Sequence, residues 1–89
     1  MNNFYIYILE CADGSYYVGH TDDIEKRILE HKSGIACAYT KDRLPVKVLY
    51  SENFASRTEA FNAERKLKSW SRFKKELLIK HGLARFKGF

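Results

Sequence analysis

Five side chains have types that could do chemistry together: Tyr7, Tyr17, Arg27, His31 and Glu64. Arg27 and His31 stand four residues apart. On a helix they share a face, and a cation beside a proton carrier forms a local anion site that suits a phosphate. An imidazole, with an ordinary pKa of about 6.5, is a competent base near neutral pH. A phenol, at about 10, is a poor one unless Arg27 or a metal-bound water favours the phenolate. Glu64 falls inside the apolar arc of its own predicted helix, where an unpartnered carboxylate is costly to bury. It needs a cation or a hydrogen-bond network, and for the cation the sequence leaves three open: Arg27, a lysine, or a Mg²⁺ that takes one or two protein carboxylates and keeps its waters. Each residue also has a plain structural reading: a core histidine on a backbone carbonyl, a snorkelling arginine, strand tyrosines packed in a sheet.

The elements that must position them follow from the pattern. Phe4 to Leu9 is β-branched and aromatic throughout and reads as a strand covered on both faces. Ala12-Asp13-Gly14-Ser15 supplies a turn, and Tyr16 to His20 is the return strand of a hairpin. A strict two-residue turn at Asp13-Gly14 would pair Tyr7 near His20 and point Tyr17 to the opposite face. Bringing the two phenols together therefore requires a longer loop, a bulge, or a side chain reaching round an edge.

Thr21-Asp22-Asp23 offers cap oxygens for a helix running to about Lys32 and stopping at Gly34. Ile24, Ile28 and Ile35 form its apolar stripe, with His31 in the middle and Arg27 at the edge. Ile35 to Pro45 lacks periodicity and reads as a loop. A third strand begins at Val46 and extends to Phe54. Ser56-Arg57-Thr58-Glu59 has capping-box form, so a second helix runs from about Thr58 through Trp70 with Ala60, Ala63 and Leu67 inward. A third helix starts at Ser71, packs Phe73, Leu77 and Leu78 inward, and ends at His81-Gly82. The basic, aromatic tail from Leu83 to Phe89 is expected to dock through an apolar anchor.

Eighty-nine residues suffice for one domain, with a core over about residues 4–80 and a short basic tail. Cys11 and Cys37 match neither a disulfide framework nor a zinc pattern, which points to a reduced, cytoplasmic setting. No apolar run approaches the about twenty residues of a membrane span, and the N-terminus lacks a charged region followed by a hydrophobic one. Net charge is +5 and unevenly spread. Residues 1–45 carry five Lys/Arg against seven Asp/Glu, and residues 46–89 carry eleven against four. A basic half suits a polyanion, because contacts to phosphates release counterions; a solvated helix surface explains it as well.

Tyr5-Ile6-Tyr7, a turn, Tyr17-Val18-Gly19, the Arg27/His31 helix and Glu64 on a later helix together resemble the GIY-YIG nuclease domain, particularly its small stand-alone members. The resemblance runs from about Phe4 to Leu78. Two positions depart from the pattern: the opening glycine is Tyr5, and the second motif reads YVG. The resemblance implies an α+β fold, a small three-stranded antiparallel sheet flanked by about three helices. It further implies a metal-dependent endonuclease acting on DNA, with branched or damaged DNA as substrate, and one Mg²⁺ or Mn²⁺ held by Glu64. Tyr7 would be the base or the group orienting the water, with His31 as its rival. Tyr17 would hold a phosphate oxygen or the water, and Arg27 would bind the phosphate. Gly19 would allow close approach, and Lys41, Arg43, Lys68, Arg72 and Lys75 are the candidates for contacting nucleic acid. The alternatives are a non-catalytic nucleic-acid-binding module and a nuclease subunit that needs a protein partner.

Overall fold

The computed structural model describes residues 3–82; the tail expected to dock lies outside them. Three antiparallel strands, β1 (Phe4–Glu10), β2 (Tyr16–Thr21) and β3 (Lys47–Phe54), form a sheet in the order β2-β1-β3. Four helices accompany it: α1 (Ile24–Lys32), α2 (Ala38–Lys41), α3 (Arg57–Ser69) and α4 (Arg72–His81). The α+β architecture agrees with expectation. The addition is α2, a single helical turn inside the segment read as loop. Its four residues are too few to show a period.

The hairpin loop is the decisive local feature. Five residues, Cys11 to Ser15, separate the paired Glu10 and Tyr16. The loop closes on itself, with Cys11 N–H donating to the Ser15 carbonyl (2.8 Å) and Gly14 N–H to the Cys11 carbonyl (2.9 Å). Asp13 Oδ1 accepts from the Ser15 amide (3.0 Å), and Gly14 takes φ 84°, which only glycine adopts without strain. With this loop Tyr7 pairs with Gly19 and Leu9 with Tyr17. Both phenols consequently lie on one face, as the longer-loop alternative required.

Alternation along β1 divides the core in two. Ile6 and Ile8, with Val18, pack against Ala60, Ala63 and Leu67 of α3 and Leu78 of α4. Tyr7 and Leu9 pack on the other face with Cys11 and Val46, flanked by Tyr17, Ile24 and Ile28. Burying a leucine such as Leu67 or Leu78 contributes about 1.5–3 kcal/mol. Caps fix where the helices begin: Asp23 accepts from Lys26 N–H (3.1 Å), Ser56 from Glu59 N–H (3.2 Å) and Ser71 from Lys74 N–H (3.2 Å).

Two expected core residues lie outside. Ile35 is 74% exposed, because α1 has ended before it and the stripe does not continue. Phe73 is 69% exposed, because five residues before Leu78 it lies about 140° round α4 from the face that carries Leu78.

Candidate active site

Tyr7 sits at the centre of β1, the central strand, and is 1% exposed. Its ring lies across Gly19 of the edge strand: a Cβ at Gly19 would stand 2.5 Å from the Tyr7 hydroxyl. Here glycine is needed for space rather than for φ. The hydroxyl meets His31 Nε2 at 2.8 Å, and the Arg27 charge acts on the same oxygen. Burial pushes the Tyr7 phenol up to about 12, against the opposing pull of the Arg27 guanidinium.

His31 is the buried residue of α1, 1% exposed. Burial lowers its pKa, and the Arg27 charge lowers it further. Of the pair read as an anion site, Arg27 is part-exposed and His31 faces inward to Tyr7. Nδ1 of His31 meets Thr40 Oγ1 of α2 at 2.9 Å. Arg27 is part-exposed, donates to Glu30 (3.0 Å), and lines a polar cleft of about 340 Å³ together with Thr21, Asp22, Asp23, Lys26 and Glu30. Tyr17 stacks among Tyr7, His31 and Tyr39, with ring centroids 6.4, 5.1 and 5.8 Å away. Its pKa is raised, first by burial and then by a hydrogen bond to Cys37.

Glu64 approaches from the other layer. His20 pairs with Ile6 and so faces α3, where its Nδ1 meets Glu64 Oε1 at 2.5 Å. Lys68, one turn along α3, holds Oε2 at 2.9 Å. Of the two protein cations the sequence left open, the one on Glu64 is a lysine and not Arg27. Burial alone would raise the Glu64 pKa, but hydrogen bonds from Lys68 and His20 outweigh it, and the net direction is down. Glu64 also raises the pKa of both Tyr7 and Tyr17 through its charge. Four of the five candidates thus cluster on the α1 face, and the fifth reaches them electrostatically from the α3 face.

The candidates for contacting nucleic acid divide. Lys41 is exposed. Arg43 ties the hairpin loop to α2, pairing with Asp13 (3.2 Å), donating to the Tyr39 carbonyl (2.9 Å) and lying over the Tyr39 ring. Arg72 donates to the Gly14 carbonyl (2.6 Å), pairs with Glu76 and covers Tyr16. Lys68 is held by Glu64. Lys75 is half-buried, and burial lowers its pKa. Sequence reasoning missed His20, Thr40 and Cys37. For His20 the two-residue strand period after Val18 was an available signal; α2 offered none.

One carboxylate flanked by an imidazole fits a divalent cation that brings its own waters and substrate oxygens. It does not fit a cage built from protein alone: among the described residues, no group of three or more His, Cys, Asp or Glu could hold an ion.

The GIY-YIG catalytic domain matches residues 3–76. A UPF0213 protein of Staphylococcus saprophyticus is 48% identical over 82 residues, covering 92% of this chain and 100% of that protein. One from Halobacterium salinarum is 42% identical over 75 residues, 84% of this chain and 97% of that one. Among solved structures, the solution NMR structure of the UPF0213 protein from Bacillus halodurans is 45% identical with a TM-score of 0.58, covering 88% of this chain and 83% of that one. A protein from E. faecalis, also solved by solution NMR, is 39% identical with a TM-score of 0.62, covering 90% and 85%.

Proposed function

The chain belongs to the GIY-YIG family, and from that premise we propose that it is a divalent-metal-dependent endonuclease that hydrolyses phosphodiester bonds in DNA, with branched or damaged duplexes as the substrate class. The observation that carries the reading is the 2.8 Å contact between the Tyr7 hydroxyl and His31 Nε2, with Arg27 beside the same oxygen.

Tyr7 and His31 act in series. Burial raises the phenol to about 12 and lowers the imidazole, so a free phenolate formed by transfer to His31 is disfavoured. Tyr7 therefore passes its proton to His31 as it takes one from the attacking water, and no phenolate accumulates. Arg27 binds the scissile phosphate and stabilises the charge that grows on it. Tyr17, beside both rings, orients a phosphate oxygen. Glu64 would hold the cation, with His20 orienting its carboxylate and Lys68 giving way to the ion. A bound Mg²⁺ or Mn²⁺ supplies charge stabilisation at the leaving oxygen. Lys41 and the basic helices α3 and α4 guide the polyanion. A cytoplasmic location suits two free cysteines, Cys11 and Cys37; among the described residues no helix is long and apolar enough to cross a membrane.

One observation favours the rival binding module: both Glu64 oxygens already have partners. Cleavage of linear, branched and single-stranded DNA with Mg²⁺ or Mn²⁺ separates the two. Tyr7→Phe, Arg27→Ala and Glu64→Gln are expected to lose at least about a hundredfold in cleavage rate, with Tyr7→Phe and Glu64→Gln still binding DNA. A wild-type chain that binds these substrates and cuts none, or a Tyr7→Phe variant that cuts undiminished, sinks the nuclease reading.

A further inference from the structure

We propose that Thr40 is a positioning residue whose buried hydroxyl holds His31 in the tautomer protonated on Nδ1, leaving the Nε2 lone pair aimed at the Tyr7 hydroxyl. The placement stands on hydrogen-bond direction alone; its catalytic meaning rests on the nuclease reading above.

Thr40 and His31 are 0% and 1% exposed, so neither can exchange its partner for bulk water. Thr40 Oγ1 lies 2.9 Å from His31 Nδ1 and reaches back to Cys37, 3.4 Å from Sγ and 3.5 Å from the carbonyl oxygen. The back-bond to the carbonyl three residues earlier is the usual way a helical threonine spends its proton. A carbonyl only accepts.

A neutral imidazole carries one N–H, so a fixed acceptor at the Cys37 end sets the direction of every group before it. Thr40 donates to Cys37 and accepts from His31 Nδ1–H, and the bare Nε2 accepts from the Tyr7 hydroxyl. The opposite polarity would have Thr40 donate to Nδ1 and leave its back-bond to the Cys37 carbonyl unmade, in a site 0% exposed at Thr40, an arrangement that burial penalises. Thr40 matters because an imidazole alone does not choose its tautomer; the hydrogen bond at the far nitrogen does.

The test is the tautomer of His31 read by nitrogen-15 NMR of the imidazoles in the full chain, at about pH 8, above the ordinary histidine range. The wild type is expected to show Nδ1 protonated and Nε2 bare. Thr40→Val, which removes the acceptor, should shift His31 towards Nε2–H, and Thr40→Ser should restore Nδ1–H. On cleaved DNA the same pair should read as a kcat loss of about tenfold to a hundredfold for the valine with KM unchanged, restored by the serine. Nε2–H in the wild type, or a tautomer indifferent to Thr40→Val in a chain that keeps its amide spectrum, overturns the proposal. A wild type that cuts no DNA yet loses Nδ1–H on Thr40→Val removes the nuclease reading and upholds the placement.

Discussion

Space at Gly19 decides where the Tyr7 hydroxyl can be. A methyl group there would stand 2.5 Å from the hydroxyl and 2.6 Å from the ring carbon that bears it, and the ring cannot retreat without leaving His31. Gly19→Ala is expected to destabilise the fold by about 1–3 kcal/mol, the usual cost of overpacking. Urea unfolding measures it, and Tyr7→Leu, which removes the clashing atoms, should shrink the penalty. Equal penalties in both backgrounds would mean that the two residues are not in contact.

His31 adds a pH dependence whose sign follows from its lowered pKa. The unfolded chain takes up a proton at about 6.5, while the folded chain resists it. The stabilisation is complete above that pH and is lost as pH falls towards the folded value. The urea midpoint of the wild type should therefore fall more steeply between about pH 7.5 and 5 than that of His31→Gln. Parallel curves would contradict a neutral, buried imidazole.

At the level of elements, the strands, α1, α3 and α4 were readable because each repeats its signal: β-branched runs, a capping serine or aspartate, and apolar residues at helical spacing. Ala60, Ala63 and Leu67 are buried as that spacing required. Two things were not readable. One was α2, which holds Thr40 behind His31. The other was the hairpin loop, because Asp13-Gly14 signals a turn without fixing how many residues it spans. Glu64 announced its need for a partner, while the choice between Arg27 and a lysine depended on which layer each came from.

The loop length is itself testable. Deleting Ala12, which is exposed and whose amide donates to the Arg43 carbonyl (2.9 Å), leaves four residues between Glu10 and Tyr16. The hairpin must then either strain its turn or slip by one residue, and a slip sends Tyr17 to the α3 face. The variant is expected to lose the ring-current shifts that Tyr17 and His31 exert on one another, seen by NMR. Retention of both would show that the loop does not set the register.

For the molecule as a whole, the charge is divided by position in the chain. The acidic first half supplies most of the phenol and histidine cluster, and the basic second half, residues 46–89 with an excess of seven positive charges, includes α3 and α4. Several of those cations have local duties, Lys68 on Glu64 and Arg72 on Gly14 among them, so formal charge overstates what a polyanion would meet. Counterion release offers a count that local pairing does not distort, since each phosphate contacted contributes about −0.9 to the slope of log affinity against log salt. Binding through the basic half across even four phosphates would therefore read as about −3.6. Lys80→Ala, at an exposed site on α4, should flatten that slope by about one contact, and Lys41→Ala on α2 should do the same only if DNA also crosses the α1 face. A wild-type affinity that hardly moves with salt would show that the basic half is a solvated surface, and that any DNA is held by the Arg27 cleft alone.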